Sequence, residues 1–206
     1  MSNKEKQIYK EGLELLKEED EILIQSPPLI YDEKGYVEAK SQEQLLRYHP
    51  EVVLYCPQIP QNTGSISRLC AAFSSTLHLI EPMGFKITEK AVTRAGLDYW
   101  EFVNLYVHKS FDDFKKVREK RRLIFIETGG TESPDNFEFL PGDCLVFGAE
   151  TFGIHEHVMK SEIQKGNAKK LTIPMFQRGV RSINLANTVS IALYMAISKL
   201  HKKQQF

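Results

Sequence analysis

The C-terminal stretch 171–198, LTIPMFQRGVRSINLANTVSIALYMAIS, restricts the fold more than any other part of the chain. Its first three residues predict a short apolar strand, which Pro174 ends because proline has no backbone N–H group. Ser182 then stands where a helix N-cap is expected, ahead of a long helix that is apolar nearly all round. Such a helix is buried in a core or an interface, whereas its first turn is polar and rich in backbone donors. The stretch alone is compatible with a well-capped core helix and with a binding site at the helix tip.

Between residues 51 and 173, short apolar segments alternate with helical ones. The predicted strands are 52–56, 76–80, 102–107, 122–126, 144–147 and 171–173, and the predicted helices are 65–73, 88–95, 111–120 and a short one ending near residue 160. This alternation predicts an α/β fold with a mostly parallel sheet and helices on both faces. Ligands of such sheets bind beyond the carboxyl ends of the strands, where the loops 127–131, 148–153 and 174–182 are expected.

Residues 1–50 differ in charge from the rest of the chain. They hold 7 Lys/Arg and 11 Asp/Glu. The whole chain has 27 Lys/Arg and 27 Asp/Glu, so residues 51–206 hold 20 Lys/Arg and 16 Asp/Glu. We interpret residues 1–50 as an N-terminal arm that packs on the main domain, residues 51–206, with a short helix over 41–48. The mildly basic main domain is compatible with a polyanionic partner.

Several classes of site are absent from the sequence. Three widely separated cysteines without a CxxC pair indicate small buried residues of a reducing cytosol, hence a cytoplasmic protein. His155 and His157 are two residues apart and would point in different directions on a helix, so no metal site is expected. Without an apolar run near 18 residues, no membrane span is expected. The sequence also contains no GxGxxG after the first strand, no P-loop and no GxSxG motif.

Two basic features have more than one interpretation. The run 115–122 suits either nucleic-acid contact or a solvated helix end. Arg68 is either a solvated surface residue or a bidentate phosphate clamp. Ile126, Phe147 and Ile173 could form apolar walls around an adenine-sized ring at the strand ends.

Three segments together resemble the motifs of the SPOUT RNA methyltransferases, in the SpoU branch of 2′-O-methyltransferases. The first is 62–70, NTGSISRLC; the second is 147–153, FGAETFG; the third runs from 173–175, IPM, through 181–187, RSINLAN. Segments 81–85, EPMGF, and 94–99, RAGLDY, are similar to the subgroup that methylates the tRNA wobble nucleotide, position 34. The resemblance covers residues 51–199 and leaves out the arm.

The resemblance implies a SPOUT fold whose C-terminal part forms a deep trefoil knot. It implies S-adenosylmethionine bound in the knot, tRNA as partner, and a homodimer that completes each active site. The implied reaction is 2′-O-methylation of the ribose of wobble nucleotide 34, a cytidine or uridine, without metal or membrane. Methylation of ribosomal RNA or of another tRNA position is the alternative within the enzyme class, and a catalytically silent RNA-binding dimer is the alternative outside it.

By position, the resemblance also assigns residues. The implied cofactor-binding residues are Ile126, Gly148, Ile173 and Ser182. The implied catalytic residues are Arg68, at the reacting ribose, with Asn62, Glu150 and Asn184 of the same motif core. The implied substrate-binding residues are Tyr194, for which packing of the last helix is the alternative role, and Arg181. Since arginine stays protonated in proteins and is therefore a poor base, Arg68 is expected to clamp phosphate and stabilise charge.

Two features depart from the wobble subgroup. Ala149 and Phe152 stand where that subgroup usually has proline and arginine, so Phe152 replaces a residue able to contact RNA by charge. The loop 176–181 is one residue longer than the common form. Both departures bear on which tRNAs are used rather than on the cofactor site.

Overall fold

The computed structural model describes residues 30–31, 37–38, 42–86 and 99–202. Most of the predicted arm, the predicted helix 88–95 and all but the last residue of segment 94–99 lie outside the described residues. Within the arm, β1 (Ile30–Tyr31) pairs antiparallel with β2 (Val37–Glu38). Helix α1 (Gln42–Tyr48) confirms the helix predicted over 41–48. The domain boundary at residue 50 stays a prediction.

Within the described residues, six strands form one parallel sheet in the order β5-β4-β3-β7-β6-β8. The strands are β3 (Glu51–Tyr55), β4 (Leu77–Ile80), β5 (Leu105–His108), β6 (Leu123–Ile126), β7 (Cys144–Phe147) and β8 (Ala168–Leu171). β3, β4, β6 and β7 are buried at every position. Strands covered on both faces read as continuous apolar runs, and this is why the sequence revealed them. The predicted α/β fold with a parallel sheet is confirmed.

Helices cover both faces of the sheet. They are α2 (Pro60–Ala72), α3 (Phe111–Val117), α4 (Glu156–Gln164) and α5 (Leu185–Lys202), and Trp100–Phe102 form a 3₁₀ turn. Because side chains alternate along a strand, Leu54 and Leu145 pack in the cluster that contains α2 and α5 residues, whereas Val53 and Val146 pack in the cluster with Phe114 of α3. Each such side chain contributes about 1.5–3 kcal/mol when fully buried.

The strand predicted over 171–173 is wrong in its bounds. β8 ends at Leu171, where the prediction began it. Among the strands that the structure describes, β8 pairs only with β6 and forms an edge of the sheet. Its sequence AKKL keeps Lys169 exposed, so an apolar pattern could not reveal it. Thr172 has already left the sheet: its hydroxyl donates to the Glu127 carbonyl at 2.6 Å, and its N–H donates to the Glu132 carbonyl at 2.8 Å.

The predicted cap of α5 is also wrong. The helix begins at Leu185, and the side-chain oxygen of Asn184 accepts hydrogen bonds from the N–H groups of Ala186, at 2.9 Å, and Asn187, at 3.3 Å. Asn184 is therefore the N-cap, two residues after Ser182. Serine and asparagine cap helices about equally well, so residue preference could not decide between them.

α5 is not buried on all sides within one chain. Leu185, Val189 and Ala192 are buried, whereas Ile191 is 39% exposed and Tyr194 is 60% exposed. An apolar helix with an open apolar side fits the interface alternative better than a pure core helix. Among the described helices, none is both long and apolar enough to cross a membrane.

Candidate functional site

A cleft of about 750 Å³ opens at the carboxyl ends of β6, β7 and β8. The three loops that the sequence placed at strand ends all contribute to its lining. The cleft also brings together the four residues implied for the cofactor, Ile126, Gly148, Ile173 and Ser182. Its volume lies in the range of about 300–1,000 Å³ that small-ligand sites occupy.

The walls of the cleft are of two kinds. Ile126 and Phe147, at the ends of their strands, are buried, and Ile173 beside them is half-buried. These side chains offer an apolar surface to a flat ring. Ser182, in the loop that leads to α5, is exposed and also lines the cleft. Apolar side chains together with a loop of backbone donors and acceptors suit a ligand with an aromatic part and a polar part.

The loop after β7 is closed tightly by glycine. The N–H of Gly153 donates to the Ala149 carbonyl at 2.9 Å, and the N–H of Ala149 donates to the Gly153 carbonyl at 3.2 Å. Gly153 has a φ of 69°, and a Cβ on Gly148 would approach its Cα to 2.6 Å. Only glycine at both positions allows this close approach of backbone to backbone.

Glu127 holds two of the cleft loops together, and sequence reasoning missed it. Its Oε1 accepts from the N–H of Ile154 at 2.9 Å, and its Oε2 accepts from the N–H of Thr128 at 3.2 Å. The signal was an acidic residue directly after the buried strand β6. Glutamate there joins the loop after β6 to the turn after β7.

Glu150 fastens the second motif to the start of α2. Its Oε2 accepts from the N–H of Gln58 at 2.8 Å, and its Oε1 accepts from the N–H of Ile59 at 3.2 Å and from Asn62 Nδ2 at 2.9 Å. A carboxylate at this place also faces the positive end of the helix dipole. The bonds fix the loop 57–59 against the turn after β7.

Asn62 links Glu150 to Asn184, the residue that precedes α5. Because a carboxylate can only accept, Asn62 presents its amide nitrogen to Glu150 and its Oδ1 to Asn184 Nδ2, at 3.1 Å. The oxygen of Asn184 is then left to cap α5. Glu150, Asn62 and Asn184, named here the motif triad, thus connect all three motifs. Their polar atoms are engaged with the protein, and the catalytic role that the resemblance implies for them stays a prediction.

Arg68 and Tyr194 do not line the cleft of a single chain. Arg68 is exposed on α2, with its guanidinium carbon 5.2 Å from the centroid of the Tyr99 ring. Tyr194 is exposed on α5, with its ring 6.4 Å from that of Phe73. Since α2 and α5 pack against each other, both residues lie on the outer side of one helix pair. Arg181, by contrast, is exposed and lines the cleft.

Cations of the basic run 115–122 form ion pairs with buried carboxylates, whereas Lys116 and Lys120 are exposed, as the interpretation of a solvated helix end expects. Contact of this run with nucleic acid stays a prediction. Arg118 Nε donates to Glu51 Oε2 at 2.7 Å inside the protein. Arg122 donates through two nitrogens to the two carboxylate oxygens of Asp143, at 2.8 and 2.6 Å. Lys115 lies 3.3 Å from Glu162. The three cysteines are buried and free, as predicted.

His155 and His157 do not point in different directions. Their ring centroids are 5.7 Å apart with an interplanar angle of 20°, which is a stacked arrangement. The prediction assumed that both lie in a helix, but α4 begins at Glu156, so His155 precedes it. In the described part of the chain, no group of three or more His, Cys, Asp or Glu residues is arranged to hold a metal ion.

Comparisons with known proteins agree on one family. The profile of the SpoU rRNA Methylase family matches residues 49–194. A protein of Bacillus subtilis (strain 168) is 44% identical over 149 residues, 71% of this chain and 90% of that protein. The tRNA (cytidine(34)-2′-O)-methyltransferase of Escherichia coli (strain K12) is 40% identical over 149 residues, covering 72% and 92% of the two chains.

Solved structures extend this likeness to three dimensions. One described as "Structural insights into the 2-OH methylation of C/U34 on tRNA" superposes with a TM-score of 0.68 at 38% identity, covering 76% of this chain and 99% of its own. The SpoU methyltransferase AviRb from Streptomyces viridochromogenes, solved in complex with the cofactor AdoMet, superposes with a TM-score of 0.60. It is 20% identical and covers 80% of this chain and 63% of its own, so this second likeness concerns the fold alone.

Proposed function

Because the chain belongs to the SpoU rRNA Methylase family, we propose that it transfers the methyl group of S-adenosylmethionine to the ribose 2′-OH of tRNA nucleotide 34, a cytidine or uridine. The observation that carries the proposal is the cleft itself, which gathers every residue implied for the cofactor and the motif triad in one place. The choice of substrate is supported by relatives whose matches to this chain cover 90% and 92% of their own length.

The cleft residues fit S-adenosylmethionine. Ile126 and Ile173 would hold the adenine ring between apolar walls, and Gly148 and Ser182 would face its polar parts. When bound, the cofactor would supply a methyl group on a positively charged sulfur and would leave as S-adenosylhomocysteine. The nucleophile is the ribose 2′-oxygen, and its proton would pass to phosphate or water. The residues of the chain would bind, align the ribose oxygen and stabilise charge, and the motif triad would keep the loops in place.

We propose a homodimer to explain the position of Arg68. This cation is exposed on α2, outside the cleft of its own chain, while the neighbouring α5 has an open side with Ile191 and Tyr194. Burying that side against a second copy would remove apolar surface from water and would bring Arg68 of one copy toward the cleft of the other. Arg68 would then contact phosphate beside the reacting ribose, with Tyr194 and Arg181 near the RNA.

The trefoil knot is proposed for the region from β6 to α5. The segment 127–137 is bonded to later parts of the chain: Thr172 bonds to the carbonyls of Glu127 and Glu132, and the Lys199 ammonium donates to the carbonyls of Pro134, at 2.8 Å, and Phe137, at 3.0 Å. These contacts of the C-terminal part with an earlier loop support the proposed threading. A tRNA substrate also agrees with the expected cytoplasmic location.

A methyl-transfer assay tests the function. The protein is incubated with labelled S-adenosylmethionine and, in separate reactions, with bulk tRNA or ribosomal RNA, and the RNA is digested and mapped by mass spectrometry. A 2′-O-methyl group at position 34 is expected. Label at another tRNA position, or only in ribosomal RNA, would overturn the subgroup assignment and leave the chemistry. Cofactor binding by calorimetry without transfer to any RNA would favour the silent RNA-binding dimer.

Arg68→Ala should lower methyl transfer by about 10²–10³-fold, the usual effect of removing one charge-stabilising group. Cofactor affinity should not change, because Arg68 lies outside the cleft of its own chain. Arg68→Lys is the matched control: it keeps the charge but loses the bidentate fork, so it should recover only part of the activity. Full activity in Arg68→Ala would contradict the assigned role.

Mixing two inactive variants tests whether the site is shared. Ser182→Trp fills the cleft from an exposed position, and Arg68→Ala removes the clamp. If each cleft uses Arg68 of the other copy, heterodimers of the two variants regain one working site. No recovery, with subunit exchange verified, would indicate that Arg68 acts in its own chain or in no site.

A further inference from the structure

Three aromatic side chains form a continuous stack at the rim of the cleft. The rings of Phe152 and His155 are 5.1 Å apart with an interplanar angle of 17°, and His155 continues the stack to His157. All three residues are exposed, and Phe152 keeps 48% of its surface open. An exposed and ordered stack of aromatic rings is unusual on a surface that serves only to face water.

The stack is held in place from below. The hydroxyl of buried Tyr55 forms a 2.6 Å hydrogen bond with Nδ1 of His155, and the two rings meet at 89°. Phe152 lies in the turn that the two hydrogen bonds between Ala149 and Gly153 close. Both members of the stack nearest the cleft are therefore oriented before any ligand arrives, which reduces the entropy lost on binding.

The position of Phe152 indicates what the stack could bind. Phe152 lines the cleft, one of its faces rests on His155, and the remainder of the ring is open. Arg181 lines the same cleft, and Arg178 is exposed in the same loop. An open aromatic face next to cations is the combination that single-stranded nucleic acid needs, because bases stack on rings while phosphates pair with cations.

We propose that Phe152, backed by His155, stacks on a base of the RNA that flanks the methylated nucleotide. This inference rests on the proposed function, since the ribose to be methylated must enter the cleft that Phe152 borders. The neighbouring base then lies over the rim, where the open ring is. Stacking accepts every base, so the contact adds affinity and orientation with little choice of sequence.

The proposal also explains in physical terms why phenylalanine can replace the arginine that the wobble subgroup usually has at position 152. An arginine at this position would hold RNA by charge, and charge contacts with phosphate weaken steeply as salt is added. A phenylalanine holds RNA through its ring, and this contact does not release counterions. Phe152→Arg should therefore make RNA binding by this chain more dependent on salt.

Binding of an RNA hairpin with the anticodon loop, carrying 2-aminopurine beside position 34, tests the stack directly. In the wild type, stacking on Phe152 should quench the fluorescence of 2-aminopurine. Phe152→Ala should abolish the quenching and weaken RNA binding by roughly 5- to 150-fold, the loss expected for one base–aromatic contact. Phe152→Tyr should restore both signals, whereas Phe152→Leu, which keeps bulk without a ring, should not.

Two controls make the result specific. Ile163→Ala removes an exposed apolar side chain near the other end of α4 and should leave RNA binding unchanged. Urea unfolding of Phe152→Ala should give the wild-type midpoint and verify that the variant is folded, because an exposed side chain contributes little to stability. Tyr55→Phe removes the hydrogen bond to His155 and should reduce the quenching in part.

The outcomes separate this inference from the proposed function. If the wild type methylates position 34 and Phe152→Ala binds the hairpin and quenches like the wild type, the stack is overturned and the function stands. If the wild type binds RNA with Phe152-dependent quenching but transfers no methyl group to position 34, the function fails and the stack stands. Unchanged binding in Phe152→Leu would also overturn the inference, because bulk alone would then suffice.

Discussion

Two polar clusters of this molecule stand in opposite surroundings. The motif triad, Glu150, Asn62 and Asn184, borders an open cleft, and its bonds go to amides and backbone N–H groups. The second cluster consists of Glu51, His78, His108 and Arg118, is buried beneath α3 and is named here the buried cluster. The comparison separates polar groups that act on a binding site from polar groups that act on folding stability. At the cleft, the polar groups hold loops that line the site, whereas beneath α3 they form hydrogen bonds and ion pairs with one another.

The buried cluster is fully paired. Glu51 Oε2 accepts from Arg118 Nε at 2.7 Å and from His78 Nε2 at 2.8 Å. Since the carboxylate fixes the hydrogen of His78 on Nε2, its Nδ1 accepts from His108 Nε2 at 2.9 Å. Burial alone would raise the pKa of Glu51, but Arg118 and His78 hold it well below its usual range. The ionised state of Glu51 therefore depends on Arg118, and the bond from His108 to His78 depends on a neutral His78.

Glu51→Gln should have the largest effect, and it acts on stability. The substitution leaves Arg118 buried without its counter-charge, a change that costs about 3–5 kcal/mol of unfolding free energy. Urea unfolding measures the loss. Methyl transfer per folded molecule should stay at the wild-type level, because the cluster lies away from the cleft lining.

Glu150→Gln is the matched substitution at the cleft. It keeps one acceptor oxygen but turns an amide toward backbone donors, so loop positions and methyl transfer should suffer more than stability. If both variants lost equal stability and equal activity, the contrast between an open and a closed cluster would be wrong.

Acid should weaken the buried cluster through its histidines. Burial, together with nearby His78, lowers the pKa of His108 to about 3, and burial lowers the pKa of His78. In the unfolded chain, both histidines have a pKa of about 6.5. Below that pH the unfolded chain binds protons that the folded chain refuses, so stability is complete above about 6.5 and falls as the pH decreases, by about 1.4 kcal/mol per unit for each histidine. Glu51 adds to the loss only below 4.5, the ordinary pKa of a glutamate side chain.

Urea unfolding between pH 7 and pH 5 measures this slope. His108→Gln removes one titrating group and should make the slope shallower. A slope remains in that variant from His78 and from the pair His49 and His201, whose pKa values burial also lowers. Identical slopes for the wild type and His108→Gln would show that His108 is already charged in the folded protein.

The sequence revealed those parts of the molecule that depend on local pattern. β6 and β7 are apolar at each position because both of their faces are covered, so their runs could be recognised. The loops 127–131, 148–153 and 174–182 indicated the cleft because each follows a predicted strand. The bounds of β8 could not be predicted, because this edge strand with exposed Lys169 has no apolar run.

Other features depend on partners that only the fold supplies. Arg118 lies 67 residues from Glu51 in the chain, so nothing local marked it as buried. The stack of Phe152 with His155 forms because His155 precedes α4 and bonds to Tyr55, 100 residues away. Position 184 rather than 182 caps α5 because Asn184 is also held by Asn62. These are pairings across the chain, which residue preference does not encode.

Asn184→Ala should have the smallest effect and should distinguish two roles at the cleft. Alanine removes the cap of α5, which costs about 0.5–2 kcal/mol, and also the bond to Asn62. Asn184→Asp is the informative partner, because aspartate caps the helix but has no hydrogen to donate to Asn62 Oδ1. Urea unfolding should therefore find Asn184→Asp close to the wild type in stability, while calorimetry finds its cofactor affinity reduced as in Asn184→Ala. If Asn184→Asp recovers the affinity together with the stability, the cap alone matters, and the link from Glu150 through Asn62 to α5 does not position the cleft.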